Sequence, residues 1–401
     1  MKILVLNAGS SSHKAALFDF ETAQAPLWQA QLDWTHQAGV VELKAHTVDG
    51  RQHQATLETQ EKSAGIHWML ETLTTGSVKV LGSLKEIQAI GHRVVHGGRE
   101  YQQSTQITPA VKVAIRRLFP LAPAHNPANL EGIEATEAAL TAVPQVAVFD
   151  TAFHAQMPAA AATYPGPYQW TEQGIQRYGF HGISHRYVAH RAADLMGKDL
   201  ADLRLITCHL GNGCSLAAVR DGISVDTTMG FTPLDGLMMG SRSGAVDPGI
   251  LIHLLRHGNL TTDELDRLLN KESGLKGISG ESNDMRRVLT AAEQGSDRAQ
   301  LAFEMFIHIL RRNIGSMLGS LGRLDALVFT AGIGENSPSV WQAACQGWEF
   351  LKLSLDPNQL QRHSDDQDIA SIDSAVRVFV IHTREEWAIA HDCYKTLDSN
   401  R

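Results

Sequence analysis

The sequence has few cysteines, no excess of basic residues and no long apolar run, and each of these absences excludes a class of protein. Its four cysteines, Cys208, Cys214, Cys345 and Cys393, show neither CxxC spacing nor the density of a disulfide framework. We therefore expect reduced thiols in a cytoplasmic protein. The formal net charge of −8 offers no basic surface for nucleic acid. No uncharged apolar run approaches the roughly 18 residues that a membrane span needs, so we expect no membrane partner.

A polar turn near the N-terminus separates two predicted strands. Residues 3–19, ILVLNAGSSSHKAALFD, have an apolar run on each side of the turn, and residues 203–221, LRLITCHLGNGCSLAAVRD, repeat this order. A glycine-rich phosphate loop usually leads from a strand into a helix, so an ordinary hairpin turn is the alternative interpretation of both stretches. The repeated order suggests an internal duplication. Two such turns would be able to hold a phosphate chain with their backbone N–H groups.

Alternating strand and helix patterns predict an α/β fold. Apolar runs indicate strands at 89–90, 145–149, 204–208 and 324–329. Each run leads into a polar or glycine-bearing segment: GHRVVHGG, DTAFH, HLGNG and TAGIGENS. In α/β sheets, ligands bind beyond the carboxyl ends of the strands. These four segments are therefore candidates for ligand binding.

Capping residues and apolar period indicate the helices. Pro248 would begin one helix that Gly258 ends. Thr261 with Glu264 fits a capping box that begins another. Residues 300–321 have apolar positions at helical spacing, which predicts a long helix packed on a core.

Several known signatures are absent. The sequence has no GxxxxGK[ST], no strand-linked GxGxxG and no GxSxG motif. His181 and His185 are four residues apart, but the glutamate of HExxH is missing, so a zinc site is disfavoured. Residues 46–62 and 359–373 are polar without a clear period, and we expect them to be solvated surface.

Ten motifs between residues 7 and 386 resemble, in family order, the acetokinase family of the actin, hexokinase and heat-shock chaperone ATPase superfamily. They are NAGSSSHK, GHRVVHGG, LAPAHNP, FDTAFH, RYGFHGISHRYV, HLGNGCS, DTTMGFTPLDGLMMGSRSG, GISGESNDMR, FTAGIGENS and HTREE. The resemblance implies an α/β fold of two duplicated ribonuclease H-like (actin-like ATPase) domains with an active-site cleft between them. It implies an N-terminal domain of residues 1–152, against which residues 384–401 pack back, and a C-terminal nucleotide-binding domain of residues 153–383.

The activity that the resemblance implies is the reversible, Mg²⁺-dependent, in-line transfer of the γ-phosphoryl group of ATP to acetate, which forms acetyl phosphate and ADP. This transfer needs charge neutralisation and alignment more than proton transfer, because the acceptor carboxylate is already ionised near pH 7. The resemblance assigns Arg93 to the substrate and Arg242 to the transferring phosphoryl group, and a guanidinium binds either kind of oxygen bidentately. It assigns His181 to a hydrogen bond with the phosphoryl group. Asp150 matches an active-site aspartate whose acid–base and orienting roles both stay open.

The remaining matches concern substrate, metal and nucleotide. The pocket for the acetate methyl group matches Val95, Ala124, Phe180 and Pro233. Ala124 stands where the family usually has leucine, so we expect a larger pocket that accepts propionate with less penalty. Asn7 and Glu385 match positions linked to Mg²⁺, for which Mn²⁺ is the alternative ion. The positions matched to ATP or ADP are Lys14, His209, Leu210, Gly211, Asn212, Gly213, Asp284, Met285, Arg286, Gly332, Ile333, Gly334, Glu335 and Asn336.

The resemblance also implies a homodimer. Three other functions stay open. The first is a kinase for propionate or another short-chain acid. The second is a sugar kinase of the same superfamily, which would need a general base for its hydroxyl acceptor. The third is a chaperone-like ATPase that hydrolyses ATP slowly without a small acceptor.

Overall fold

The computed structural model describes residues 1–9, 11–20, 25–361 and 366–398. The strands are β1 Lys2–Ala8, β2 Ser12–Asp19, β3 Trp28–Gln37, β4 Val40–Thr47, β5 Gln52–Glu58, β6 Ala89–Val94, β7 Thr105–Gln106, β8 Gln145–Phe149, β9 Arg204–Leu210, β10 Cys214–Arg220, β11 Ile223–Thr227, β12 Ala326–Thr330, β13 Asp366–Asp368 and β14 Arg377–Ile381. The helices are α1 Lys62–Glu71, α2 Pro109–Arg117, α3 Asn126–Ala139, α4 Ala159–Ala162, α5 Gln169–Glu172, α6 Gly182–Met196, α7 Pro248–His257, α8 Thr262–Lys271, α9 Gly274–Ser279, α10 Met285–Glu293, α11 Asp297–Leu321, α12 Ala331–Asn336, α13 Pro338–Cys345 and α14 Glu385–Asp398. Among the described residues, no helix combines the length and apolarity that crossing a bilayer requires.

The chain divides into two compact units. The first unit contains Met1–Ala152 and Arg384–Arg401, and the second unit contains Phe153–Thr383. The described residues of the C-terminal segment end at 398. The first unit therefore takes its last helix, α14, from the far end of the chain.

The first unit is built on a sheet with the strand order β5-β4-β3-β2-β1-β6-β8-β7. Strands β1 to β5 pair antiparallel as a meander, whereas β1, β6 and β8 are parallel neighbours. Parallel strands are usually covered on both faces, which explains the nearly uninterrupted apolar runs of β1 and β8. Helix α14 approaches β6 so closely that a Cβ on Gly91 would lie 2.7 Å from Ile389 Cγ2. Only glycine admits the helix at that point.

The second unit is built on a sheet with the order β11-β10-β9-β12-β14-β13. Strands β9, β10 and β11 are antiparallel, and β9, β12 and β14 are parallel. The long helix α11 packs on this sheet, and its buried side chains Phe306, Leu310 and Ile314 follow helical spacing. The helix predicted at 300–321 is therefore confirmed.

The two sheets repeat one pattern. In each sheet, three antiparallel strands (β1-β2-β3 and β9-β10-β11) are followed by two strands parallel to the first (β6-β8 and β12-β14). The polar turns after β1 and β9 both close antiparallel hairpins. The predicted α/β fold with an internal duplication is confirmed.

Helix boundaries agree with the sequence where a capping residue marks them. Helix α7 begins at Pro248 after the N-cap Asp247, and it ends before Gly258. Helix α8 begins with the predicted capping box. Glu264 N–H donates to Thr261 Oγ1 at 3.2 Å, and Thr261 N–H donates to Glu264 Oε2 at 2.8 Å.

The two segments expected to be solvated surface both contain strands. Residues 46–62 include the end of β4 and all of β5, an edge strand whose side chains are half-exposed or exposed. Strand β5 lies at the surface, as expected. It was not predicted as a strand, because an edge strand with so few apolar residues shows no clear apolar period in the sequence. In residues 359–373, β13 pairs with β14, and both Gln367 and Ile369 are buried. The surface expectation was wrong there, while residues 362–365 lie outside the described residues.

His13 is a fully buried histidine in β2. Its ring packs edge-on to Trp34 with 5.0 Å between the centroids. Neither ring nitrogen makes a hydrogen bond of normal geometry to a described residue. Burial, together with the Lys62 charge, lowers the pKa of His13 to about 4. The folded protein therefore holds this imidazole neutral at physiological pH.

We expect His13→Leu to stabilise the protein, and to stabilise it more at low pH. Removing a buried polar group that has no hydrogen-bond partner should raise the free energy of unfolding by about 1–3 kcal/mol near pH 7. Because the folded pKa lies below the ordinary value of 6.5, the unfolded state binds the proton first, and the parent protein loses stability as pH falls from 6.5 towards 4. At pH 5 this linkage adds about 2 kcal/mol to the difference. Urea unfolding at pH 7 and pH 5 measures both effects, with the exposed His67→Leu as control; an equal gain at both pH values would contradict the lowered pKa.

Candidate active site

Arg93 and Asp150 form an ion pair at the carboxyl ends of two parallel strands of the first unit. Arg93 lies near the end of β6, and Asp150 directly follows β8. Arg93 Nη2 donates to Asp150 Oδ2 at 2.6 Å, and Arg93 Nε lies 3.1 and 3.2 Å from the two carboxylate oxygens. The Asp150 side chain is only 2% exposed. This bidentate contact fixes the plane of the guanidinium.

Asn7 and Glu385 also act on Arg93. Asn7, in β1, accepts a long hydrogen bond from Arg93 Nη1 at 3.4 Å. Burial alone would lower the pKa of Arg93, but the carboxylates of Asp150 and Glu385 outweigh burial and raise that pKa above its ordinary value. Asn7, Asp150 and Glu385 supply the amide and carboxylate oxygens that suit a hard divalent cation retaining several waters. Within the described ranges, no three His, Cys, Asp or Glu side chains are grouped to cage a metal.

Three other predicted residues of the first unit differ in exposure. Lys14 is exposed in β2 and stands opposite Asn7 in the hairpin register. Val95 is buried, and its N–H donates to Asn129 Oδ1 at 3.1 Å. Ala124 is exposed and precedes the start of α3 by two residues. A larger side chain at Ala124 would therefore not overpack a core.

In the second unit, Arg242 is a partly buried arginine. Its Nη1 donates to the Pro233 carbonyl at 3.2 Å, and no described carboxylate forms a salt bridge with it. Burial lowers the pKa of Arg242, although a guanidinium still stays charged in proteins. A partly buried cation without a carboxylate partner among the described residues suits an anionic ligand.

Backbone contacts hold the loop that carries Arg242. Met239 N–H donates to the Arg242 carbonyl at 3.2 Å, and Leu275 N–H donates to the Met239 carbonyl at 2.9 Å. Gly274 has a φ of +62°, and a Cβ there would lie 2.2 Å from the Met239 carbonyl oxygen. Only glycine fits this position, because both the left-handed backbone and the close approach exclude a side chain. The first turn of α9 therefore supports the Arg242 loop.

His181 has an unusual backbone conformation at the start of α6. Its φ of 56° lies in the left-handed region, which residues other than glycine seldom adopt. The preceding Phe180 is buried, and its carbonyl lies 3.0 Å from His154 Nε2. The His181 ring stacks on His209 with 4.1 Å between centroids, and its Nδ1 lies 2.9 Å from Ser215 Oγ. Strain of this kind persists where the surroundings enforce it, and it clusters at functional sites.

Gly213 lies close to both His181 and Arg242. A Cβ built on Gly213 would lie 3.4 Å from His181 Nε2 and 3.4 Å from Arg242 Nη1. The turn after β9 therefore brings an imidazole and a guanidinium to the same glycine. Converging donors of this kind stabilise charge that develops on phosphoryl oxygens.

A pocket of about 600 Å³ adjoins the same turn in the second unit. It is lined by Gly211, Asn212, Asn283, Asp284, Met285, Arg286, Gly332, Ile333, Asn336 and Ser337. Its volume lies in the range of small-molecule sites. All but Asn283 and Ser337 were predicted to bind nucleotide, and each of these two directly adjoins a predicted residue in the sequence. Their position next to predicted residues is the only feature of the sequence that could have identified Asn283 and Ser337 as pocket residues.

Six residues predicted to bind nucleotide do not line this pocket: Lys14, His209, Leu210, Gly213, Gly334 and Glu335. Leu210 is fully buried. Glu335 Oε1 accepts from the N–H groups of Ala331 and Thr383 at 2.7 and 2.9 Å. Its Oε2 lies 2.5 Å from His382 Nδ1. Both oxygens of Glu335 are thus engaged, and Oε1 braces the start of α12.

Comparison with known proteins gives a consistent result. The family model described as the Acetokinase family matches residues 2–391. A relative from Gloeobacter violaceus named acetate kinase is 59% identical over an alignment of 404 positions, which covers 99% of this chain and 100% of the relative. The crystal structure of Porphyromonas gingivalis acetate kinase is 39% identical with a TM-score of 0.93 over 99% of each chain. The crystal structure of a propionate kinase from Francisella tularensis is 38% identical with a TM-score of 0.90, over 98% of this chain and 99% of that one.

Proposed function

The chain belongs to the acetokinase family, and from this premise we propose that it transfers the γ-phosphoryl group of ATP reversibly to acetate. The reaction forms acetyl phosphate and ADP by direct in-line displacement. The environment of Arg242 is the main support for this proposal. It is a partly buried guanidinium with no carboxylate partner among the described residues, and it lies beside Gly213 together with His181.

Arg93 is proposed to bind the acceptor carboxylate. Asp150 engages its Nε and one hydrogen of Nη2, and a guanidinium has five N–H donors in a fixed fork. Donors on the terminal nitrogens are therefore able to serve a second anion. Because the acceptor is already ionised, no proton has to move. We accordingly propose that Asp150 orients Arg93 instead of acting as an acid or base.

Arg242 and His181 are proposed to stabilise the transferring phosphoryl group. Charge spreads over the equatorial oxygens of this group in the transition state, so catalysis depends on donors that are already in place. The adjoining pocket is proposed to hold the nucleotide. The glycine backbones of the turn after β9 and of α12 suit phosphates, while Asp284 and Arg286, joined by a 2.6 Å ion pair, suit the ribose and adenine.

Asn7 and Glu385 are proposed to hold Mg²⁺, with Mn²⁺ as the alternative ion. Their oxygens fit a cation that takes one or two protein ligands and keeps several waters. When bound, the ion neutralises charge on the phosphate chain. Asp150 is already engaged with Arg93, so Glu385 supplies the carboxylate of this proposed pair.

We expect Glu385→Gln to raise the Mg²⁺ concentration for half-maximal activity by about tenfold, the scale of losing an interaction that supports a metal site. The neutral amide keeps the shape of the side chain but removes its charge. Activity should be titrated with Mg²⁺ at fixed ATP. The neighbouring Glu386→Gln is the matched control and should behave as the parent. Superimposable Mg²⁺ titrations for Glu385→Gln and parent would remove Glu385 from the metal site.

A homodimer in the cytoplasm completes the proposal. Helix α7 leaves Ile250 and Ile252 each 49% exposed, which is the kind of apolar surface that a second copy covers. All four cysteines are free and buried, as expected in a reducing compartment. We further propose that the second unit, Phe153–Thr383, is the nucleotide-binding domain.

Trapping the product with hydroxylamine tests the proposed function. ATP and Mg²⁺ should yield acetyl hydroxamate only when acetate is present. Formation of ADP with sugars, without hydroxamate, would instead indicate a sugar kinase. ATP hydrolysis at a rate indifferent to acetate would indicate an ATPase of the chaperone type.

Propionate is the second candidate substrate, and Ala124 is the observation that favours it. The alanine side chain has three carbons fewer than the leucine usual in the family, whereas propionate has only one methylene more than acetate. One methylene in an apolar pocket is worth about 1–3 kcal/mol of discrimination. The alternative is that neighbouring side chains fill the space, as closely packed sites tend to do.

We expect Ala124→Leu to lower the ratio of kcat/KM for propionate to that for acetate by about tenfold, within the range for one methylene. The measurement is kcat/KM for acetate, propionate and butyrate. Ala110→Leu, at another exposed alanine of the first unit, is the control. A ratio that Ala124→Leu leaves unchanged would rule out the enlarged pocket.

A further inference from the structure

A chain of buried hydroxyl and imidazole groups lies behind His181. Ser215 Oγ lies 2.9 Å from His181 Nδ1 and 2.7 Å from His185 Nε2. On its other side, His185 Nδ1 lies 2.7 Å from Thr207 Oγ1. Thr207, His185 and Ser215 are all fully buried. None of these three residues belongs to the proposed catalytic or binding set.

The far end of this chain sets its direction. Thr207 Oγ1 carries one hydrogen, and its acceptors are His185 Nδ1 at 2.7 Å and the Ala217 carbonyl at 3.5 Å. Hydroxyl hydrogen bonds are normally about 2.5–3.0 Å long, so the hydrogen goes to His185 Nδ1. Burial, reinforced by His154 and His209, holds the pKa of His185 well below its ordinary value. His185 is therefore neutral, and its single N–H is on Nε2.

The other hydrogens then follow in one order. His185 Nε2–H donates to Ser215 Oγ, and the Ser215 hydroxyl donates to His181 Nδ1. A neutral imidazole whose Nδ1 accepts carries its hydrogen on Nε2. In His181 this is the nitrogen that lies 3.4 Å from a Cβ built on Gly213. The donor therefore lies on the Gly213 side of the ring, where Arg242 also lies.

We infer that Thr207, His185 and Ser215 are positioning residues that fix His181 as the neutral Nε2–H tautomer. In this form His181 donates to a phosphoryl oxygen without first taking up a proton, and the donor is in place before charge develops. The inference rests on the proposed function, in which His181 contacts the phosphoryl group. It adds the residues that keep His181 in the donating form.

Two substitutions at Thr207 separate the hydroxyl from the shape of the side chain. Thr207→Val keeps the shape and loses the hydroxyl, whereas Thr207→Ser keeps the hydroxyl. We expect Thr207→Val to lower kcat about tenfold or more, as when the partner that orients a metal-bound histidine is lost. The KM values for acetate and ATP should stay unchanged, and Thr207→Ser should keep the kcat of the parent. In a His181→Ala background, Thr207→Val should cause no further loss, because its effect passes through His181.

The tautomer itself is measured by ¹⁵N NMR of histidine-labelled protein, with the His181 signals identified by their absence in His181→Ala. Nε2 should carry the hydrogen in the parent and in Thr207→Ser, and both tautomers should be present in Thr207→Val. An Nδ1–H tautomer in the parent would overturn the inference. An equal loss of kcat from Thr207→Val with and without His181 would also overturn it, since the role would then be merely structural. His181→Ala with the kcat of the parent would overturn the role of His181 in the proposed function, whereas the first two failures leave that role intact.

Discussion

Arg242→Ala should lower kcat by about a hundredfold to a thousandfold, the scale of removing one preorganised donor from a developing charge. The KM values for acetate and ATP should change little, because the contact strengthens only as charge moves onto the phosphoryl oxygens. The structure supports this expectation. Arg242 lies beside Gly213 with His181, burial lowers its pKa, and no described carboxylate is paired with it. A partly buried cation in this setting suits an anionic ligand.

Arg242→Lys is the matched variant. It keeps the charge but loses the planar fork, so its kcat should lie between those of the parent and Arg242→Ala. Thermal unfolding separates catalysis from folding. Since Arg242→Ala removes a partly buried cation without a counter-ion, its midpoint should not fall. A raised KM for acetate at unchanged kcat would instead assign Arg242 to ground-state binding.

Asp150→Ala should lower the free energy of unfolding by about 3–5 kcal/mol, because it leaves the partly buried guanidinium of Arg93 without its bidentate partner. The substitution removes both oxygens of the bidentate ion pair, in which Arg93 Nη2 and Asp150 Oδ2 are 2.6 Å apart. The kcat/KM for acetate should also fall steeply, since the plane of Arg93 is no longer fixed. Denaturant unfolding and acetate kinetics on the same preparation measure the two effects.

Two further variants test the orienting role of Asp150. The double variant Arg93→Ala with Asp150→Ala should be less destabilised than the sum of the single variants, because neither charge is left alone. Asp150→Asn keeps an acceptor oxygen and loses the charge, so the KM for acetate should rise while the pH profile of kcat keeps its shape. Loss of one limb of that profile would assign Asp150 to acid–base catalysis and contradict the orienting role.

The features of the fold that the sequence predicted depend on interactions between residues close together in the chain. The capping box of Thr261 and Glu264 and the N1 position of Pro248 act within one helical turn, so their signals are complete in the sequence. The duplicated hairpins were predictable because each joins neighbouring strands through a short polar turn. Strand β5 was missed, because an edge strand needs no apolar period.

Interactions between distant segments explain what the sequence did not predict of the candidate site. The motif that contains Glu335 resembles a nucleotide-binding loop. The motif alone does not reveal that Oε1 of Glu335 accepts from Ala331 and Thr383 and that Oε2 contacts His382. The close approach of Gly274 to the Met239 carbonyl likewise appears only once the chain is folded. Thr207, His185 and Ser215 lie on β9, α6 and β10, and only tertiary packing brings their side chains together.

The most direct test of phosphoryl transfer to acetate is a ³¹P NMR time course of the protein with ATP, Mg²⁺ and acetate, run for the parent and for Arg242→Ala. Acetyl phosphate and ADP should appear in equal amounts in the parent, ATP should re-form when both products are supplied, and Arg242→Ala should do neither at a comparable rate. Formation of ADP and inorganic phosphate at a rate that acetate does not change, or an Arg242→Ala variant as fast as the parent, would contradict phosphoryl transfer to acetate at Arg242.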